Sequence, residues 1–280
     1  MPERFDQGVF ENRAHPGPID AQSGQQPASQ SLAQDLTRLT LEIQTVDRKY
    51  AGRLATWNDH EFIMLRRDGR MLQLGIDEVV NFKQKAPNFT PYDSGKIQRH
   101  LQKMFGSAYE VSRTAHYVVV HPRGQRKRWA DPFERLYQRF WHYFTVRGFS
   151  QRLPEFPMVV VVFRSRSEFN AVADEDGMNN PNAYVGYYSP RSNWVVTYQQ
   201  SSWGSTEHWE SVNVTLIHDA FHEYGFNVGF HIRWAPTPNW CAEGLASMFE
   251  ARGVNISRKY SAASERLHPD HVRFLRGVLA

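Results

Sequence analysis

Apolar and polar positions change rhythm four times along the chain. Residues 1 to about 35 are rich in Gln, Ser, Pro, Gly and Ala and show no apolar period, so they read as a disordered arm. From residue 36 a two-residue period sets in, with Leu39, Leu41 and Ile43 on one face of R-L-T-L-E-I-Q-T-V. K-Y-A-G-R-L-A-T-W-N and E-F-I-M-L-R-R-D-G-R-M-L-Q-L follow, and Asp68-Gly69 between two strand-like runs predicts a hairpin. Several short strands in about 50 residues predict a small, strongly bent sheet over 36–86. Residues 83–93 read as a connecting segment. A short helix then carries Ile97, Leu101 and Phe105 at four-residue spacing, so 87–107 is taken as linker and helix.

From about residue 108 the pattern becomes α/β. A-H-Y-V-V-V-H predicts a strand. Asp131-Pro132 predicts a helix start as N-cap and first turn, followed by the stripe Phe133, Leu136, Tyr137, Phe140 and Phe144 and a stop at Gly148. P-M-V-V-V-V-F is a continuous apolar run, as expected of a strand buried on both faces. Ser165 and Glu168 form a capping-box pattern for a helix ending at Gly177. Y-V-G-Y-Y and N-W-V-V-T-Y flank the turn S-P-R-S and predict a second hairpin. A helix over about 207–226 follows, and Thr237-Pro238 opens another that runs to about 251.

Composition narrows the chemistry. Aromatic residues make up 14% of the 280 positions, enough for a sizeable core. Cys241 is the single cysteine, which excludes a disulfide framework and an all-cysteine zinc site. It reads as a small apolar packing residue. A metal would therefore be held by His, Asp or Glu. The net charge of +4 is spread along the chain, and the one basic run, R-G-Q-R-K-R at 123–128, reads as a solvated loop, so nucleic acid is not an expected partner. No run approaches the ~18 apolar residues of a membrane span. The N-terminus lacks the basic start and apolar stretch of a signal peptide, which leaves the cytoplasm as the default compartment.

The candidate chemistry lies in T-L-I-H-D-A-F-H-E-Y-G-F, residues 215–226. His218 and His222 are four apart, on one helical face, so both imidazoles can reach one ion. Twelve histidines in 280 positions would give roughly half such a pair by chance, so the pair alone decides little. A catalytic zinc needs a third protein ligand and an open position. A third histidine six residues after His222 would fall at Val228; His231 comes three residues later. The other plan takes Glu243, on a separate helix after the loop W-A-P-T-P.

H-x-x-x-H followed by W-x-x-E-G-L-A resembles the gluzincin-type zinc metallopeptidases. Residues 108–252 resemble more closely a bacterial gluzincin-like family, through H-Y-V-V-V-H-P, F-x-x-L-Y-x-x-F, F-P-M-V-V-V-V-F, V-G-Y-Y-S and F-N-V-G-F-H-I-R-W-A-P-T-P-N-W. The resemblance implies a zincin-like α/β (α+β) domain over 108–280, with a mixed sheet and an active-site helix. It implies Zn²⁺ held by His218, His222 and Glu243, and a peptide substrate added along an antiparallel edge strand, here the N-W-V-V-T-Y hairpin. Asp219 stands where that family has its general-base Glu, one methylene longer. Glu223 faces about 100° away from His222 and cannot take its place. Glu250, seven residues after Glu243, is placed to support a histidine ligand. His231 and Arg233, in the loop, are candidates for polarising a carbonyl or holding substrate. His268 and His271, three apart across Pro269, read weakly as ligands. The 36–86 segment resembles a Src-homology-type or Sm-like small barrel, through its D-G turn and G-x-L-x-x-W, and implies a protein partner. The expected function is zinc-dependent peptide hydrolysis, reduced by Asp219. A zincin-fold adaptor without efficient turnover is the alternative. A phosphohydrolase using a His218-Asp219 dyad is disfavoured by the strand-rich stretch before residue 200.

Overall fold

The computed structural model describes residues 36–200 and 214–279. It is mixed α/β, with two five-stranded sheets, and its described residues divide into two compact units: 36–91 with 175–177, and 92–174 with 178–200 and 214–279.

The first unit holds β1 (Thr40–Gln44), β2 (Lys49–Trp57), β3 (Glu61–Arg66), β4 (Met71–Gly75) and β5 (Asn81–Ala86) in the order β4-β3-β2-β1-β5. Every pairing is antiparallel. The alternation read from the sequence buries Leu41 and Ile43, which cluster with Phe62, Met64 and Leu74. The expected D-G hairpin joins β3 to β4. Gly69 adopts φ +87°, a backbone conformation costly for other residues. Gly52, in the G-x-L-x-x-W pattern, is required for a different reason. A Cβ there would lie 2.3 Å from the Leu65 carbonyl oxygen of the neighbouring strand.

The second unit is built on β6 (Tyr109–Arg113), β7 (Tyr117–Pro122), β8 (Met158–Phe163), β9 (Gly186–Ser189) and β10 (Trp194–Tyr198), in the order β6-β7-β8-β10-β9. β7, β8 and β10 run parallel, while β6 and β9 are antiparallel to their neighbours. Successive residues of the parallel strands enter opposite cores, which is why they read as unbroken apolar runs. Val118, Val120, Val159, Val161 and Val196 join one core with α1 (Ser94–Phe105) and α3 (Arg166–Glu175). Tyr117, Val119, Met158, Val160, Val162 and Val195 join the other. That second core is closed by α2 (Arg126–Thr145), α4 (Val214–Val228) and α5 (Asn239–Met248), with Phe140 ringed by Phe221, Tyr224 and Phe249. Two further helices, α6 (Arg252–Asn255) and α7 (Pro269–Leu279), follow.

Three expectations change. The helix α2 begins at Arg126, and Pro132 lies inside it. Proline costs the helix one backbone bond. The buried stripe nevertheless extends upstream to Trp129, whose indole N–H donates to Gln125 Oε1 at 2.9 Å. The basic run therefore enters the helix's first turn rather than a loop, against the preference of a helix start for acidic residues. The helix α1, expected within a linker, packs Ile97 and Leu101 into the second unit's core. Finally, the hairpin does supply the edge, but through its other strand rather than N-W-V-V-T-Y. β10 pairs with β8 on one side and β9 on the other, with all five residues buried, so the edge strand is β9. The expected capping box forms as read: Glu168 N donates to Ser165 Oγ at 3.3 Å, and Ser165 N to Glu168 Oε2 at 3.2 Å. The start of the histidine helix near residue 207 lies outside the described residues. No described helix is long and apolar enough to cross a membrane.

Candidate metal centre

Helix α4 is apolar on most sides, with Leu216, Ile217, Ala220, Phe221, Tyr224 and Val228 buried. That packing fixes its rotation and leaves one stripe, His218 and His222, turned towards α5. Glu243, on α5, comes to meet it. His222 Nε2 lies 2.9 Å from His218 Nε2. The Glu243 carboxylate lies 3.0 Å from His218 Nε2 and 3.4 Å from His222 Nε2. Three ligands around a tetrahedral zinc at ~2.0–2.1 Å would stand about 3.3 Å apart. The three donors are within a few tenths of an ångström of that spacing. Two imidazoles and a carboxylate are also the donor chemistry zinc takes. The side chain of Glu243 is 59% exposed, against 19% for His218 and 13% for His222. The centre is thus closed on the helix side and open towards Glu243, as a fourth, exchangeable position requires.

Glu250 completes the arrangement. Its Oε1 lies 2.7 Å from His218 Nδ1. The carboxylate accepts the Nδ1 proton, which leaves the Nε2 lone pair directed at Glu243 and His222. Burial alone would depress the His218 pKa. The Glu250 hydrogen bond, with the charges of Asp219, Glu250 and Glu243, outweighs it and holds the pKa above its usual value. His222 moves the other way. Burial and the adjacent His218 push it to about 4, so it is neutral at pH 7, the form a metal needs.

Asp219 is 6% exposed and lies against the edge strand β9. A Cβ on Gly186 would fall 2.8 Å from Asp219 Oδ2 and 3.2 Å from the Val196 carbonyl oxygen, so glycine is what lets α4 approach the sheet here. Oδ2 has no hydrogen-bond partner among the described residues. Burial pushes the carboxyl up to about 7; the His218 charge opposes the rise, and Glu243 and Glu250 add to it. Glu223, next to His222, points into the core, where its Oε1 accepts from the Val159 N–H at 2.7 Å. Burial holds its pKa well above the usual range.

Neither loop candidate is among the converging donors. Arg233 Nε donates to the Pro190 carbonyl at the β9–β10 turn, 2.8 Å away. His231 is buried against Gly225 and Phe226, where desolvation lowers its pKa, and it is not among the converging donors. The C-terminal helix brings in two histidines that spacing alone singled out weakly. His271 Nε2 lies 3.2 Å from Glu250 Oε2, and His268 stands beside it.

A family profile described as "Protein of unknown function (DUF1570)" matches residues 212–279. That span runs from the histidine helix through Glu243, Glu250, His268 and His271, so the match covers every residue grouped around the candidate centre. It covers about a quarter of the chain. No curated protein matches the sequence.

Proposed function

We propose that this protein is a zinc-dependent peptidase of the gluzincin type, with His218, His222 and Glu243 as the metal ligands. The observation that carries this reading is the convergence of those three donors, with the His218 tautomer fixed by Glu250. Bound zinc would supply a Lewis acid and lower the pKa of its water to about 7. The chain's own residues supply the rest. Asp219, a buried carboxyl held near neutrality, is the group that takes a proton from the attacking water; a base is most effective when its pKa lies near the working pH. Its shorter side chain sets it back by about 1.5 Å relative to a glutamate, so turnover is slow. The antiparallel edge strand β9, packed on α4 beside Asp219, is the track on which an extended peptide adds as a further strand. We read the zincin-like fold from this combination of mixed sheet, edge strand and ligand helices. We read the first unit's strand order, with the register shift in β2 between Leu54 and Thr56, as a small barrel serving a protein partner.

One observation favours the adaptor reading. The Asp219 carboxylate packs against Gly186 rather than standing in the open centre. A single assay separates the two. Zinc-loaded protein is given an unfolded protein substrate, and cleavage is followed by mass spectrometry for the parent, Asp219→Asn and Asp219→Glu. Slow, chelator-sensitive cleavage that falls at least about 10²-fold in Asp219→Asn supports the peptidase. No cleavage by the parent, with activity appearing in Asp219→Glu, supports the adaptor.

A further inference from the structure

On the far side of α2 from its buried stripe lies a cavity of about 690 Å³, apart from the metal centre. One wall is the solvent face of α2, carrying Arg135, Arg139 and Arg147. The other is the segment 253–258, with Arg258, joined by Arg266. Five arginines from two walls thus line one space, and no carboxylate lines it. Arg135 and Arg139 are one helical turn apart, a like-charge spacing that costs the helix stability. Arg147 is held in place. Its Nη1 donates to the Tyr143 carbonyl at 2.8 Å, and the guanidinium lies 3.5 Å from the centre of the Tyr143 ring. Among the described residues, Arg147, Arg258 and Arg266 form no ion pair. Asn255, 6% exposed, also lines the cavity, and its side-chain oxygen has no hydrogen-bond partner among the described residues.

A concentration of arginines in a concave space whose lining holds no carboxylate is arranged for an anion. The volume falls in the range of small-molecule sites, ~300–1,000 Å³. Guanidiniums favour phosphate, whose oxygens match their paired N–H donors. A ligand with several phosphates offers groups to arginines of both walls. We propose that this cavity binds a small organic polyphosphate, a nucleoside triphosphate being the simplest instance. The cavity shares no residue with the metal centre, so this inference stands or falls independently of the peptidase reading.

The test is calorimetric titration of the full chain with ATP. It is done in a His222→Ala background in the presence of chelator, so that phosphate cannot register by binding metal. Arg147 and Arg258 are exposed, so their substitution leaves the fold intact; circular dichroism verifies it. The expected result is one site whose affinity weakens as salt rises from about 50 to about 200 mM. Arg147→Ala and Arg258→Ala should each weaken it about tenfold, and the double Arg147→Glu/Arg258→Glu variant should not bind. No heat with ATP up to about 1 mM would overturn the proposal. So would an affinity unchanged in the single variants, or citrate binding as tightly as ATP, which would make the cavity a general anion trap.

Discussion

Replacing Glu250 with glutamine removes a charge from the metal centre without touching a ligand. Its carboxylate lies 2.7 Å from His218 Nδ1, its side chain is 12% exposed, and it fixes the tautomer that leaves His218 Nε2 free to bind. Glutamine keeps the length and can still offer an oxygen to the Nδ1 proton, so the variant isolates the charge. Loss of such an outer carboxylate costs 10- to 100-fold in metal affinity, about 1.4–2.7 kcal/mol. A second effect opposes it. Glu250 raises the His218 pKa, so its removal also weakens proton competition for Nε2. That gain is confined to acidic solution, and the loss should appear undiminished at about pH 8. The assay is competitive zinc titration against a chromophoric chelator for the parent, Glu250→Gln and Glu250→Ala, with Ala expected at the stronger end. His271 touches the other oxygen of Glu250 from a side chain that is 52% exposed, so His271→Ala should cost no more than about threefold. A Glu250→Gln affinity within about twofold of the parent would refute the argument that this carboxylate orients a ligand.

Glu223→Gln should stabilise the protein at neutral pH. The folded pKa of this buried acid is raised above 4.5, so the folded state holds a proton that the unfolded chain releases. Its contribution is therefore intact below about pH 4.5 and is lost as pH rises towards the folded pKa, at about 1.4 kcal/mol per unit. Urea melts of parent and variant should diverge between pH 5 and pH 7; parallel curves would contradict the sign. Gly186→Ala places a methyl 2.8 Å from Asp219 Oδ2 and should cost about 1–3 kcal/mol in thermal melts, with zinc affinity changed little. Gly52→Ala drives a methyl into the Leu65 carbonyl oxygen of β3 and should disrupt the first unit's sheet. Amide exchange should show lost protection in β2 and β3, while β7 and β8 keep theirs.

Much of this architecture is written locally. The period-two strands of the first unit, its D-G turn, the Ser165–Glu168 box and the unbroken valine runs each have a nearby physical cause, and each appears where the pattern places it. What local rules misplace depends on partners distant in sequence. Pro132 is a start signal by local rules, yet the burial of Trp129 carries α2 six residues further upstream. W-V-V-T-Y belonged to a hairpin on its face, but its own continuous burial marked an interior strand, and the shorter G-Y-Y-S was the better edge. The pair His218–His222 is legible as a helical spacing, whereas Glu250, placed by the same spacing from Glu243, lies two residues beyond the end of α5 and reaches His218 from the turn that follows. The meeting of Glu250 with His271 is not legible, because nothing in a His-Pro-Asp-His segment says which helix it will fold against. Gly186 was equally silent, since its importance lies in the carboxylate that packs upon it.

Zinc stoichiometry tests the central claim most directly. Purified chain would be loaded with zinc, desalted and measured by inductively coupled plasma mass spectrometry beside His222→Ala and Glu243→Ala. The account predicts close to one zinc per parent chain, and its loss in both variants, each still folded by circular dichroism. A parent that holds no zinc, or a His222→Ala protein that retains the full amount, would contradict it.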